Sequence, residues 1–111
     1  MLTTSIVLFA VAAVFGLTII VPLLQGKPTP KPSVFIHGPV AAVALVLLII
    51  YAVNNTGGPI ASIVIFIIAA LGGIILFTND MRQKPGPKAL ALIHASAAVI
   101  AFVILLIFAF S

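Results

Sequence analysis

The chain has 111 residues, 64% of them hydrophobic and 5% charged, with a formal net charge of +4 and no cysteine. That composition lies far outside the range of soluble domains and points to an all-α integral membrane protein, a single membrane domain over residues 1–111. The absence of cysteine excludes disulfides, thiolate metal centres and cysteine-ligated iron–sulfur clusters built from one chain, and five cations split between two short loops suit lipid headgroups rather than nucleic acid.

The first predicted helix spans about residues 3–24, near the ~20 residues that cross a bilayer core. It lacks the basic leader and small-residue cleavage pattern of a removable signal peptide, so it is read as a permanent span. A basic connection, "KPTPK" at 27–31, leads into the second helix, about 33–53, with Ser33 expected at its start after Pro32 and His37 inside it. "NNTGGP" at 54–59 carries no charge and a Gly-Gly-Pro turn signal; its formal glycosylation sequon lies so close to the membrane that it is read as a turn. The third helix, about 59–78, ends near Asp80, the one acidic residue, expected to pair with Arg82 or Lys84. The fourth, about 89–110, follows "KPGPK" at 84–88 and contains His94, with Ser96 expected to pack.

All five basic residues, Lys27, Lys31, Arg82, Lys84 and Lys88, fall in the loops after the first and third helices. The positive-inside rule places those loops in the cytoplasm and both termini outside, in a bacterial or archaeal cytoplasmic membrane.

Residues 1–54 align without a gap onto 58–111 at an offset of 57. Ser5, Phe9, Ala12, Ala13 and Gly16 match Ser62, Phe66, Ala69, Ala70 and Gly73; the basic motifs coincide; and Ile36-His37 falls on Ile93-His94. Each repeat holds two helices, so both hairpins enter the membrane in the same sense. This predicts a four-helix bundle of two tandem parallel hairpins with a pseudo-two-fold axis along the membrane normal. His37 and His94 then lie at one depth and face each other if the second and fourth helices approach the axis.

On each histidine's helix face, positions i+4 and i+7 are alanine: Ala41 and Ala44 after His37, Ala98 and Ala101 after His94. Two readings compete. Small residues let membrane helices pack closely, or they clear a flat slot for a porphyrin whose iron the imidazoles hold. The second also accounts for ionisable residues in an apolar span. Lys31 and Lys88 stand six residues before the histidines, roughly 9 Å along a helix, within reach of a haem's carboxylates; each alone also fits an orientation-setting role.

The stretch "KALALIHASAAVIAF", Lys88 to Phe102, resembles a core helix of the cytochrome b561 family of transmembrane electron-transfer proteins, in which a basic residue, a few apolar residues, "HA" and "AF" recur. The resemblance covers about half the chain, mainly the second repeat. It implies that His94 is an axial ligand of haem b, and the repeat nominates His37 as its partner. The family's six helices and second haem have no counterpart here, and Ala98 stands where a further histidine often occurs. One bis-histidine haem is the most this chain holds.

In size and helix count the chain also resembles the small multidrug-resistance transporters, but its first helix lacks their carboxylate. Two histidines fall short of a tetrahedral zinc site, and no acid orients Ser33 or Ser96 for hydrolysis. Three readings remain. One is a b-type cytochrome exchanging electrons with a quinone or redox protein, an electron-transfer or oxidoreductase component. Another is a cofactor-free structural or accessory subunit. The last is a histidine-gated channel or carrier. Self-association is left open.

Overall fold

The computed structural model describes residues 1–84 and 87–111; Pro85 and Gly86, inside the second basic motif, lie outside the described residues. Four helices follow in order, α1 Leu2–Leu24, α2 Lys31–Asn54, α3 Ile60–Met81 and α4 Lys88–Phe110, and all are long and apolar enough to cross a membrane. Their 22 to 24 residues correspond to about 33–36 Å of helix, slightly more than the ~30 Å hydrocarbon core. The molecule is an integral membrane four-helix bundle 43 Å long.

Proline sets where three of the helices begin. Pro30, Pro59 and Pro87 occupy the N-cap positions of α2, α3 and α4; each has a fixed φ and lacks the N–H that would extend the helix backwards. α2 starts at Lys31, two residues before the expected Ser33, because Pro32 in a first turn removes an N–H that has no helical acceptor anyway. Ser33 makes no capping bond. α3 continues past Thr78 to Met81, since polar side chains do not end a helix once they leave the apolar layer; the Thr78 hydroxyl donates back to the Ile74 carbonyl at 2.9 Å. The amides of Asn54 and Asn55 donate to the Ile50 and Tyr51 carbonyls, satisfying the last turn of α2.

α1 pairs with α2 and α3 with α4 as hairpins, which meet through α1 against α4 and α2 against α3. α1 and α3 therefore face each other across one diagonal, α2 and α4 across the other, with no backbone approach within 8 Å on either. Phe9, Ala44, Leu48, Ile63, Phe66, Ala101 and Leu105 form the packed core. It fills the half of the bundle nearer Met1, Ser111 and the α2–α3 connection.

The 57-residue offset recurs as contacts. Phe9 stacks on Phe66 with ring centres 3.9 Å apart, His37 meets His94 edge to face at 6.2 Å, and Tyr51 meets Phe108 at 6.4 Å. Each pair joins a residue to its own copy. Ser5, Phe9 and Ala12, like Ser62, Phe66 and Ala69, are buried, so the face kept between copies of the odd-numbered helices points inward. The copies differ in one buried detail. Ser5 Oγ donates to the Ala44 carbonyl at 2.8 Å, whereas Ser62 Oγ has no partner among the described residues.

Candidate functional site

Towards the basic end the packed core gives way to a cavity of about 1180 Å³, somewhat above the ordinary range of small-molecule sites. All four helices contribute to it. Phe9 and Phe66 border it next to the core, the histidines and small residues line its middle, and Lys27, Lys31, Lys84 and Lys88 stand at its mouth.

Both histidines are held in the same way. His37 Nδ1 lies 2.7 Å from the Ala12 carbonyl of α1, and His94 Nδ1 lies 2.6 Å from the Ala69 carbonyl of α3. A carbonyl oxygen only accepts, so Nδ1 carries the proton in each ring, and a neutral imidazole then keeps a bare lone pair on Nε2. Among the described residues neither Nε2 has a hydrogen-bond partner. A backbone carbonyl on one ring nitrogen with the other left free is the usual arrangement of a metal-binding histidine. Among the described residues no group of three or more His, Cys, Asp or Glu side chains gathers to hold a bare metal ion.

Two glycines make this seating possible. A Cβ placed on Gly16 would lie 3.1 Å from His37 Cε1, and one on Gly73 would lie 2.9 Å from His94 Cε1. Each imidazole therefore rests against bare backbone of the neighbouring helix. The signal for these residues was present in the repeat, which keeps Gly16 and Gly73, but the spacing does not say what they touch.

Of the residues the sequence nominated, the structure brings His37, His94, Ala41, Ala98, Lys31 and Lys88 together around the cavity. Ala44 and Ala101 lie elsewhere, fully buried in the packed core. They share the histidine face but sit about 10 Å along the axis from the histidines, past the cavity's end. Two further expectations are corrected. Asp80 pairs with Lys31 Nζ at 2.8 Å and accepts from Thr29 Oγ1 at 2.7 Å, so its partners come from the other hairpin rather than from Arg82 or Lys84. Ser96 is exposed on α4 and does not pack in the core.

Fold and site together define an integral membrane helical bundle with one histidine pair at the centre of an apolar cavity that cations overlook. Compared with protein-family models, curated proteins and solved structures, the chain finds no match.

Proposed function

We propose that the protein is a small membrane b-type cytochrome that holds one haem between α2 and α4 through His37 and His94. The observation that carries this reading is the 6.2 Å separation of the imidazole centres, with Nδ1 of each ring tied back to a carbonyl. A metal ion held by both rings would need their centres about 6 Å apart, two bonds of about 2 Å plus half a ring on each side, and that is the spacing the rings have. The pseudo-two-fold axis implied by the repeat passes between the rings and makes the two ligands equivalent. The cytochrome b561 resemblance of α4 agrees with His94 as a ligand.

A bound haem would supply one-electron chemistry with a quinone or redox protein as partner. The chain's own part follows from the residues. The carbonyls of Ala12 and Ala69 fix the tautomer and orientation of the imidazoles. Ala41 and Ala98 leave room beside the rings, and the Phe9–Phe66 stack bounds the cavity with a flat apolar surface. Lysines at the mouth offer cations to carboxylates, and the positive-inside rule puts that mouth in the cytoplasm. The same Nδ1 bonds would serve a cofactor-free accessory subunit joining its helices, but that role leaves the free Nε2 atoms and the cavity without a purpose.

The test is an absorption spectrum of protein purified from haem-replete cells. A Soret band with split visible bands on reduction, abolished in His37→Ala and in His94→Ala, is the expected result. A colourless wild-type protein that takes up no added hemin refutes the reading.

A further inference from the structure

The two seams that flank the cavity, α2 with α3 and α1 with α4, are not held alike, although the helices that form them are copies. Between α2 and α3 three contacts close the basic end. Phe35 meets Phe77 edge to face at 6.2 Å, Lys31 pairs with Asp80 at 2.8 Å, and Thr29 Oγ1 donates to the same carboxylate at 2.7 Å. Lys31 also donates to Thr29 Oγ1 at 3.0 Å, so lysine, threonine and aspartate form one knot.

Among the described residues the equivalent positions between α1 and α4 carry none of this chemistry. In place of Phe35, Phe77 and Asp80 stand Leu92, Ile20 and Leu23, and Thr29 corresponds to Gly86. Lys88 is the copy of Lys31, but the chain's one acidic side chain is already engaged across the bundle. Leu17 and Val99, which border the cavity from α1 and α4, are 63% and 61% exposed, and their copies Ile74 and Ala42 are exposed too, so both walls reach the lipid-facing surface and what differs is the tie between the helices.

We propose that the cavity exchanges its ligand sideways through the gap between α1 and α4, and that it receives a bilayer-dissolved amphiphile whose anionic group is taken by Lys88 rather than by Lys31. The α2–α3 side is the fixed seam. This rests on the cavity being a ligand site, as proposed above, but not on the ligand being haem. An apolar body reaches the gap from the hydrocarbon layer without crossing headgroups. Its charged end travels at the interface, where a lysine with no carboxylate partner attracts it. Lys31 is a weaker receiver because an incoming anion has to displace Asp80.

The experiment measures uptake into the protein in lipid nanodiscs with two probes, hemin followed by its Soret band and the fluorescent fatty acid cis-parinaric acid followed by its emission. One variant transplants the seam to the open side, Leu23→Asp with Ile20→Phe and Leu92→Phe; a second carries only the two phenylalanines, in case the buried-edge aspartate impairs folding. The transplant is expected to slow uptake of both probes about tenfold, an effect of roughly one ion pair and one aromatic pair, while Asp80→Asn changes it little. Lys88→Gln should weaken both probes about fivefold, the worth of one lysine at a membrane surface, and leave hemin dimethyl ester unaffected; Lys31→Gln should weaken them less, since Asp80 already holds that lysine. Unchanged uptake in both transplants, or a larger effect of Lys31→Gln than of Lys88→Gln, overturns the proposal. If parinarate follows the expected pattern and hemin does not bind, the haem reading falls and the gap stands. If neither probe binds, both fall.

Discussion

Adding one methyl group at Gly73 tests the seating of the histidines more directly than removing a histidine does. The new Cβ would lie 2.9 Å from His94 Cε1, well inside the ordinary carbon–carbon separation of about 3.5–4.0 Å. The ring cannot simply swing away, because its Nδ1 is bonded to the Ala69 carbonyl at 2.6 Å, one turn from Gly73 on the same helix. Overpacking of this kind costs about 1–3 kcal/mol, against a gain of about 0.4–1 kcal/mol from restricting the unfolded chain. Gly73→Ala should therefore destabilise by about 1 kcal/mol. Its neighbour supplies the control. At Gly72 the nearest atoms to a new Cβ, in His94 and Leu90, are 3.7 Å away, ordinary contact, so Gly72→Ala should keep the gain of about 0.4–1 kcal/mol. The assay is unfolding by SDS titration in mixed micelles, followed by helical circular dichroism, with the 15N resonance of His94 Nδ1 reporting its hydrogen bond. Equal stabilisation by both alanines, with the Nδ1 resonance unmoved, would show that His94 does not rest on Gly73.

The two buried serines should respond differently although they are copies. Ser5→Ala removes a bond to the Ala44 carbonyl and should cost about 1 kcal/mol in the same titration, while Ser62→Ala, which removes an unpartnered hydroxyl, should be neutral or stabilising. Gln83 has a φ of 56°, and its copy Gly26 has 72°. Gln83→Gly should stabilise by about 1 kcal/mol and Gly26→Ala should destabilise by a similar amount, since a side chain in the left-handed region costs about 1–2 kcal/mol. The Lys31–Asp80 pair is partly exposed, 47% and 21% for the two side chains. Asp80→Asn should cost at most about 1 kcal/mol, and a loss that does not shrink as salt is raised would count against the ion pair.

Much of this was legible in the sequence because membrane spans and repeats are one-dimensional signals. Hydropathy placed all four helices within three residues of their ends, and the offset of 57 paired His37 with His94 before any distance was known. What spacing along one helix does not encode is how far a cavity extends or where a neighbouring helix stands. Ala44 and Ala101 shared the histidine face yet fell in the core, because seven residues of rise carried them past the cavity. Asp80 has Arg82 and Lys84 beside it in sequence, but its partner Lys31 is 49 residues away, on the helix that the bundle folds against α3. The seat of each imidazole on glycine is likewise a property of helix–helix approach. The repeat marked the glycines and left their partner unnamed.

The division of the bundle into a packed half and an open half has an energetic reason. Lipid tails are as apolar as leucine, so no hydrophobic drive pushes these hairpins together, and what joins them is contact between fitted surfaces. Leu48 and Leu105, Ala44 and Ala101, and the Phe9–Phe66 stack supply those contacts at one end. At the other end the inner faces carry alanine, glycine and histidine and enclose space. A ligand lodged there would provide contacts that the hairpins otherwise lack, so binding and hairpin association would be linked, and occupancy would stabilise the bundle in proportion to the logarithm of ligand concentration above Kd. The repeat gives two equal walls, which suits a flat ligand held from both faces. At the basic end, around Asp80, Phe77 and Phe35, the copies diverge: α2 is tied to α3 there, and among the described residues no equivalent contact joins α1 to α4. In the proposed reading, departure from symmetry at the rim, with the histidines kept as a pair, would let one site hold its ligand evenly and exchange it from a single side.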